Sequence, residues 1–458
     1  MDFAQLLTNV ADTVCGYPLF LLLIGGGLFL LVSSGFISIR RLPQALAELR
    51  RSRHSSDDSG SKGISSLQAL MSVVAATVGM GNIAGVAIAL VVGGPGAIFW
   101  MWVSALVGMA TKYHEGFLAV TYRGRNTNGE PQGGTMHIIE QSTGRRRHPL
   151  AVMFAVAGIF GTLCIINANQ LTEALLSAVG GETAVSDSGL RLATGLVIAA
   201  VVGAVVAGGL RRIAHVATLL VPFMVALYFA MVCWIILTHI DGVPRAFAAI
   251  FSGAFSLEAG WGALIGVAVT GARRAALVNE AGVGTASIMH GASSNSSPVR
   301  EGLVAMLGPA VDSGFVCTLT ALAIMLGCDL STAVPGDVKG LSLAMDAFGR
   351  SIPGGDYLLM FVVVCFALSS MFSYSYYGNR CAAWLLGEKR ARWQTWFFIA
   401  TLVLFAVIPL SAAVSLCDLF FALMVIPTMI TLVRLSGVVR RRTRLYFNQL
   451  QPQPDVNT

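Results

Sequence analysis

An all-α polytopic membrane protein is the fold class this sequence predicts, with about eleven transmembrane helices arranged as one leading helix and a 5+5 inverted repeat. Three observations predict it. The 458 residues are 55% apolar and only 12% charged, and their mean hydropathy of +0.74 exceeds that of ordinary soluble domains. A spanning helix needs about 20 mostly apolar residues, and eleven windows qualify, near 18–40, 66–92, 95–122, 149–177, 189–209, 213–238, 259–291, 301–327, 357–385, 393–411 and 413–436. The Lys and Arg residues, finally, gather in alternate connections between those windows.

The leading window is read as a retained helix and not a signal peptide, because Asp2 precedes it, it is too long, and no small-residue cleavage site ends it. The polar stretch RSRHSSDDSGSKG at 51–63 separates it from the rest. The expected units are therefore a leading helix and linker at 1–63, a first five-helix half at 64–238, an external connection at 239–258, a second half at 259–436 and a basic tail at 437–458. Five is odd, so the second half enters the membrane from the opposite side, an arrangement common among transporters.

Placing the basic residues on this scheme with the N-terminus outside puts 23 of the 30 on the cytoplasmic side, including Arg40, Arg41, Arg123, Arg211, Arg380 and Arg440. Arg191, Arg245, Lys339 and Arg350 fall outside, and Lys112, Arg273 and Arg274 within spans. Cationic loops stay cytoplasmic, so the scheme predicts a multi-pass protein of the cell (inner) membrane, N-terminus outside and C-terminus inside. The net charge of +7 is thus a topological signal and implies no nucleic-acid partner. The eight cysteines, Cys15 among them, lack metal-ligand spacing and suggest no disulfide framework.

The opening helix of each half carries a glycine-rich interruption: Thr77-Val-Gly-Met-Gly-Asn-Ile-Ala-Gly85 in one and Asn279-Glu-Ala-Gly-Val-Gly284 in the other. Paired glycines weaken a helix and permit dihedrals that other residues avoid. Unwound backbone at mid-membrane requires a polar cavity, which makes the two interruptions the expected binding site. The alternative is that Gly79, Gly81, Gly282 and Gly284 serve close helix packing.

Polar residues in apolar spans extend this reading. Asn82 is expected to shape the first unwound turn, or to bond a neighbouring helix. In IINANQLTEAL, Asn167 and Gln170 share a helix face, and Gln170 is placed to bond a substrate carboxylate or amine, or to serve structure alone. Glu115, three residues from Lys112, reads as an ion pair near the cytoplasmic surface. Glu280 lies at the second interruption, where Arg273 and Arg274 could neutralise it, and Asp312 caps or braces its helix. His114, His137 and His290 form no ligand set. In ALSSMFSYSYYGNR, the hydroxyls of Ser369, Ser370, Ser373 and Ser375, paired with carbonyls of an unwound segment, suit a hard cation such as sodium; each could also bond back to its own helix.

These features exclude several classes. No ring of repeated elements suggests a channel, and neither GxSxG nor HExxH supports an enzyme. A non-transporting sensor of the same architecture remains the rival to a transporter.

Residues 78–123, VGMGNIAGVAIALVVGGPGAIFWMWVSALVGMATKYHEGFLAVTYR, and residues 277–308, LVNEAGVGTASIMHGASSNSSPVREGLVAMLG, together resemble the two signature regions of the alanine or glycine:cation (sodium) symporter family. VDSGFVCTLTAL and YYGNRCAAWLLG extend the match over residues 64–436. The resemblance implies a LeuT-like fold with two discontinuous helices and sodium-coupled import of small neutral amino acids, alanine and glycine, with no cofactor besides sodium as the coupling ion. Proton coupling is the alternative within that reading. By the same resemblance, Thr77, Gly79, Met80, Asn82, Gln170, Asn279, Glu280, Gly282, Gly284 and Tyr374 would contact substrate. Sodium would lie between the carbonyls of Ala75 and Val78 and the hydroxyls of Ser369 and Ser370. The chain departs from the family pattern at Met80, where a small or hydroxyl residue is usual, at Tyr374, where an indole is common, and at Asn379, Thr135 and His137.

The charge asymmetry carries a direct test. In a cysteine-free background, a cysteine at Ser188 is expected to react with an impermeant thiol reagent from outside, and one at Ser59 only after the membrane is opened; the reverse pattern rejects the topology.

Overall fold

A computed structural model of the chain describes residues 17–54, 64–127, 129–255, 261–328, 340–408 and 410–450. Asp2, Cys15, Ser59, Lys62 and Lys339 lie outside the described residues. Helix dominates throughout. α1 (Pro18–Ser33) is apolar, and a left-handed turn at Gly35 and Phe36 leads towards the basic α2 (Leu42–His54).

A capping box starts the next helix: the Ser65 side chain accepts from the Gln68 amide while the Gln68 side chain accepts from the Ser65 amide. α3 (Ser66–Thr77) and α4 (Gly81–Gly93) form one apolar span bent by 57°. α5 (Gly96–Thr121) leads into a small antiparallel hairpin, β1 (Gly124–Arg125) and β2 (Pro131–Gln132), with Gly124 opposite Gln132. α6 (Thr135–Thr143) follows. α7 (Pro149–Gly161) begins with Pro149 in its first turn and His148 as its cap, and passes through left-handed Cys164 into α8 (Ile165–Ser186).

Asp187 caps α9 (Ser188–Val206), which is followed by α10 (Gly209–Thr238). The stretch expected as an external connection, 239–258, contains a helix, α11 (Val243–Ala254). α12 (Trp261–Asn279) and α13 (Thr285–Gly291) make the second broken helix. α14 (Pro298–Gly327) starts at Ser297, whose side chain caps it, and includes a π-helical stretch at Ala310–Val316. α15 (Gly340–Ser351), α16 (Gly355–Leu386), α17 (Glu388–Val407) and α18 (Leu410–Leu450) complete the chain. The segment expected as a basic tail is helical through Leu450 as the end of α18.

Among the described residues, six helices are long and apolar enough to cross a membrane, and the bent pair α3–α4 makes up to seven. Large apolar side chains such as Leu196, Leu219, Phe223, Trp234 and Trp396 point outward, the surface expected of a protein whose solvent is lipid. Inside, α5 packs against α12, α13 and α14. Small residues allow the approach: a Cβ at Gly271 would sit 2.2 Å from the Ala97 carbonyl oxygen, and one at Gly116 would sit 2.6 Å from Ala305 Cβ. The face of α5 so enclosed carries Lys112, His114 and Glu115, each essentially without solvent exposure. α16 runs along α3, α7, α10 and α17, so the two broken helices lie between α5 and α16.

Candidate functional site

The first break is built by its own sequence. α3 ends where Val78 turns extended (ψ 98°), its amide still bonded to the Val74 carbonyl at 2.8 Å. The Asn82 side chain then reaches back, accepting from the Gly79 amide at 2.9 Å, and its Nδ2 donates to the Asp312 carboxylate on α14. Asn82 and Asp312 are both fully buried. One amide thus satisfies a backbone donor freed by the break and ties the turn to a neighbouring helix. Thr77, buried beside it, interacts with the same Asp312 carboxylate through its hydroxyl.

α16 supplies hydroxyls to the end of α3. Ser369 Oγ donates to the Ala75 carbonyl at 3.1 Å, and Ser370 Oγ lies 3.2 Å from the Ala75 and 3.0 Å from the Ala76 carbonyl oxygen. Ser373 continues the row onto Ser72 O at 2.9 Å. Gly79 packs into the same corner, where a Cβ would lie 3.1 Å from Ser370 Oγ. Ser369 and Ser370 also bond back to Phe366 O, as the alternative reading of these serines expects. Val78 is buried close by, although no side-chain hydroxyl is bonded to its carbonyl. Ser375 bonds only to its own helix, at Phe372 O.

The second break occupies 280–284. Glu280 (φ 51°), Gly282 (φ 93°) and Gly284 (φ 93°) are left-handed, a conformation that is strained for glutamate and natural to glycine. At Gly284 space is equally restrictive: a Cβ would sit 2.5 Å from Thr135 Oγ1 and 2.6 Å from Thr428 Oγ1. The freed backbone groups again find partners on other helices. Gly282 N donates to Glu115 Oε1 at 2.7 Å, and Thr428 Oγ1 donates to Val283 O at 3.1 Å. Asn279 Oδ1 accepts from Ala281 N at 3.0 Å, while its Nδ2 has no partner.

One expectation about the acids changes here. Glu115 is not paired with Lys112 near a surface: no ion pair within 4 Å joins them, both are buried, and Glu115 spends one oxygen on the second break. Glu280 accepts from Thr285 Oγ1 at 2.7 Å, and its neighbouring cation is Lys112, whose charge also acts on Glu115 and Asp312. Of Arg273, only the backbone is described. The cause is the position of α5, which sequence could not place: it turns Lys112 and Glu115 towards the interior, Glu115 onto the second break, instead of towards water.

The breaks adjoin one another, since Cβ atoms at Gly81 and Gly85 would lie 3.5 and 3.8 Å from Val278 Cγ2. Met80 is 3% exposed, in the apolar core beside the first break. Gln170 and Tyr374 stand apart: neither makes a hydrogen bond to either break among the described residues. Gln170 is half-buried on α8, and Tyr374 stacks on Phe421 (centroids 6.3 Å apart) with Tyr377 edge-on at 5.5 Å. Of the amides on α8, Asn169 is the committed one, its Nδ2 donating to Phe405 O and Ile408 O at the end of α17. At the end of the molecule rich in Arg lies a cavity of about 590 Å³, bounded by Ile64, Arg211, Ala292, Tyr376, Asn379 and Arg380.

Two adjoining broken helices, braced by polar side chains within a lipid-facing bundle, define a multi-pass membrane transporter and not an enzyme. The match to the model of the sodium:alanine symporter family spans residues 1–457, and the chain belongs to that family. It is 40% identical over 464 residues to the sodium/alanine symporter AgcS of Methanococcus maripaludis, covering all of both chains. To the amino-acid carrier protein AlsT of Bacillus subtilis it is 32% identical over 456 residues, 98% of this chain and 93% of that one. Its fold is that of MhsT, solved in complex with L-phenylalanine, with a TM-score of 0.59, 14% identity and coverage of 84% of this chain and 99% of that one. The fold is therefore LeuT-like.

Proposed function

We propose that this chain imports small neutral amino acids, alanine and glycine, together with sodium, by alternating access across the cell (inner) membrane. The observation that carries the reading is the meeting of four oxygens at the end of α3: the carbonyls of Ala75 and Ala76 and the hydroxyls of Ser369 and Ser370. Carbonyl oxygens at a helix C-terminus hold partial negative charge, and hydroxyls can turn their lone pairs inward when a cation takes the place of their protons. Sodium, a hard cation that prefers oxygen, suits this set, with the Val78 carbonyl as a further ligand. On the other side of the break, the first amides of α4 lack intrahelical partners and favour an anionic group, which is where the amino-acid carboxylate would lie.

The remaining site residues divide by what their polar atoms already do. Asn82, Glu280, Gly282 and Gly284 are engaged in holding the breaks open and act as the walls of the site. Asn279 Nδ2 has no hydrogen-bond partner among the described residues and would be left for a ligand, Thr77 and Gln170 would add a hydroxyl and an amide, Gly79 would leave room beside Ser370, and Met80 and Tyr374 would set the size of the pocket. The chain would run with its N-terminus outside and its C-terminus in the cytoplasm, and residues 64–238 and 259–436 would form the inverted halves, each opened by one broken helix.

In proteoliposomes, an inward sodium gradient is expected to drive uptake of labelled alanine, and a proton gradient alone is not; uptake driven by protons without sodium would assign the coupling to protons, and no counterflow at all would leave a sensor. In the same assay, Ser370→Ala is expected to raise the half-saturating sodium concentration about tenfold, the loss of one ion-facing oxygen, with a much smaller change in alanine affinity at saturating sodium. An unchanged sodium dependence would remove Ser370 from the ion site.

Met80 tests the pocket at a position where the chain leaves the family pattern. A long, unbranched thioether fills space, so the pocket is expected to prefer glycine and alanine over larger neutral amino acids by about 10- to 100-fold, the worth of a methylene or two in an apolar site. Met80→Ser is then expected to admit serine, cysteine and threonine measurably better. Competition against labelled alanine, at matched protein level, reads this directly. An identical series of inhibition constants in both proteins would place Met80 away from the ligand.

A further inference from the structure

The bend at Val78 and Gly79 leaves α3 as a separate 12-residue rod, hinged at one end. Its other end is tied to a carboxylate that plays no part in the site described above. Glu301, on the first turns of α14, is fully buried together with His290 and Ser293. Its Oε2 accepts from Ser66 Oγ at 2.6 Å and from Ser293 Oγ at 3.0 Å, and its Oε1 lies 2.7 Å from His290 Nδ1. Asn295 Nδ2 donates to Ser66 Oγ at 3.3 Å. Backbone bonds run alongside, from Ile64 N to Ala292 O at 3.3 Å and from Ser294 N to Ile64 O at 2.8 Å. Arg123 closes the outer side by donating to the carbonyls of Ser293 and Asn295.

We propose that Glu301 is a positioning residue that latches α3 against α13, and that breaking its bond to Ser66 lets α3 pivot at Gly79 towards the cavity at the basic end. The inference rests on the transport reading and adds to it the group that governs access from that end. Hydrogen bonds to a carboxylate are stronger than those between neutral groups, so this one carboxylate holds the rod firmly. The arrangement is also unequal in a useful way. When Ser66 leaves, Glu301 keeps His290 and Ser293, both on the segment that remains, so the buried acid is never stripped of partners. Ile64 and Ala292, which bond to one another beside the latch, also border the 590 Å³ cavity.

Hydrogen exchange of the full chain in detergent, read by mass spectrometry, tests the latch without requiring transport. Ser66→Ala removes the rod's donor to Glu301, together with the hydroxyl that accepts from Asn295 Nδ2, and leaves the His290–Glu301 pair in place. Amides of 66–77 are expected to exchange about tenfold faster in Ser66→Ala, and in Glu301→Gln, while those of α5 and α16 keep their wild-type rates. If Glu301→Gln does not fold, Ser66→Ala decides alone. Unchanged exchange at 66–77, or a rise spread evenly over the chain, overturns the proposal. In uptake assays Ser66→Ala is expected to raise the half-saturating alanine concentration severalfold with maximal rate retained, because more of the protein rests open at the basic end; an unchanged value beside faster exchange overturns the role in access. Should the chain carry no amino acid at all, the function proposed above fails while the exchange result still judges the latch.

Discussion

A helix can be interrupted inside hydrocarbon only if each backbone group released by the interruption finds a partner, and the interior of this protein is arranged around that requirement. Neither break satisfies itself. The first takes Asn82 from its own turn and Asp312 from α14, together with the hydroxyls of Ser369 and Ser370 from α16. The second takes Glu115 from α5 and Thr428 from α18. Close approach of the bracing helices then becomes a necessity and not a preference, which explains why α5 presents Gly108 to Asn279 and Gly116 to Ala305.

The same requirement brings charge into the core. Glu115, Glu280 and Asp312 are buried carboxylates that share the field of a single buried lysine, Lys112, whose Nζ has no hydrogen-bond partner. Isolated buried charges are costly, and a cluster of opposite signs lowers that cost without demanding a contact pair. One atom of the cluster, Asn279 Nδ2, makes no hydrogen bond among the described residues. Buried polar atoms seldom remain unpaired, so on the proposed reading water, ion or substrate would complete it.

The two interruptions could be read from the sequence because glycine pairs beside asparagine have few other uses in an apolar helix, and the serine row of α16 stood out for the same reason. What could not be read was partnership over distance. Glu115 looked like half of a local pair with Lys112 because spacing along one helix is all that a sequence displays, whereas its partner, Gly282, lies 167 positions away. Glu301 drew no sequence reading of its own; nothing local reveals that Ser66, His290 and Ser293 converge on it. Among the α8 amides the sequence favoured Gln170 and Asn167 for their shared face, yet Asn169, pointing elsewhere, bonds the end of α17. The left-handed turn at Cys164 carried no glycine to announce it.

On the proposed reading, α3 is held at both ends by different chemistry, and this is what would couple the ion to the movement. At the hinge end its carbonyls meet neutral hydroxyls of α16, bonds worth about 1 kcal/mol each and easily exchanged. Sodium there would replace those bonds with charge–dipole contacts to the same four oxygens, fastening α3 to α16 more strongly than serine protons do. A ligand shifts a conformational equilibrium only by its difference in affinity between the two states, and the oxygens of α3 and α16 face each other only while α3 lies against α16. Sodium would therefore favour the latched rod, and its departure would leave α3 to the weaker serine bonds at one end and to Glu301 at the other. The carboxylate and the ion act on opposite ends of one rigid element, so neither needs to sense the other directly: what passes between them is the position of α3.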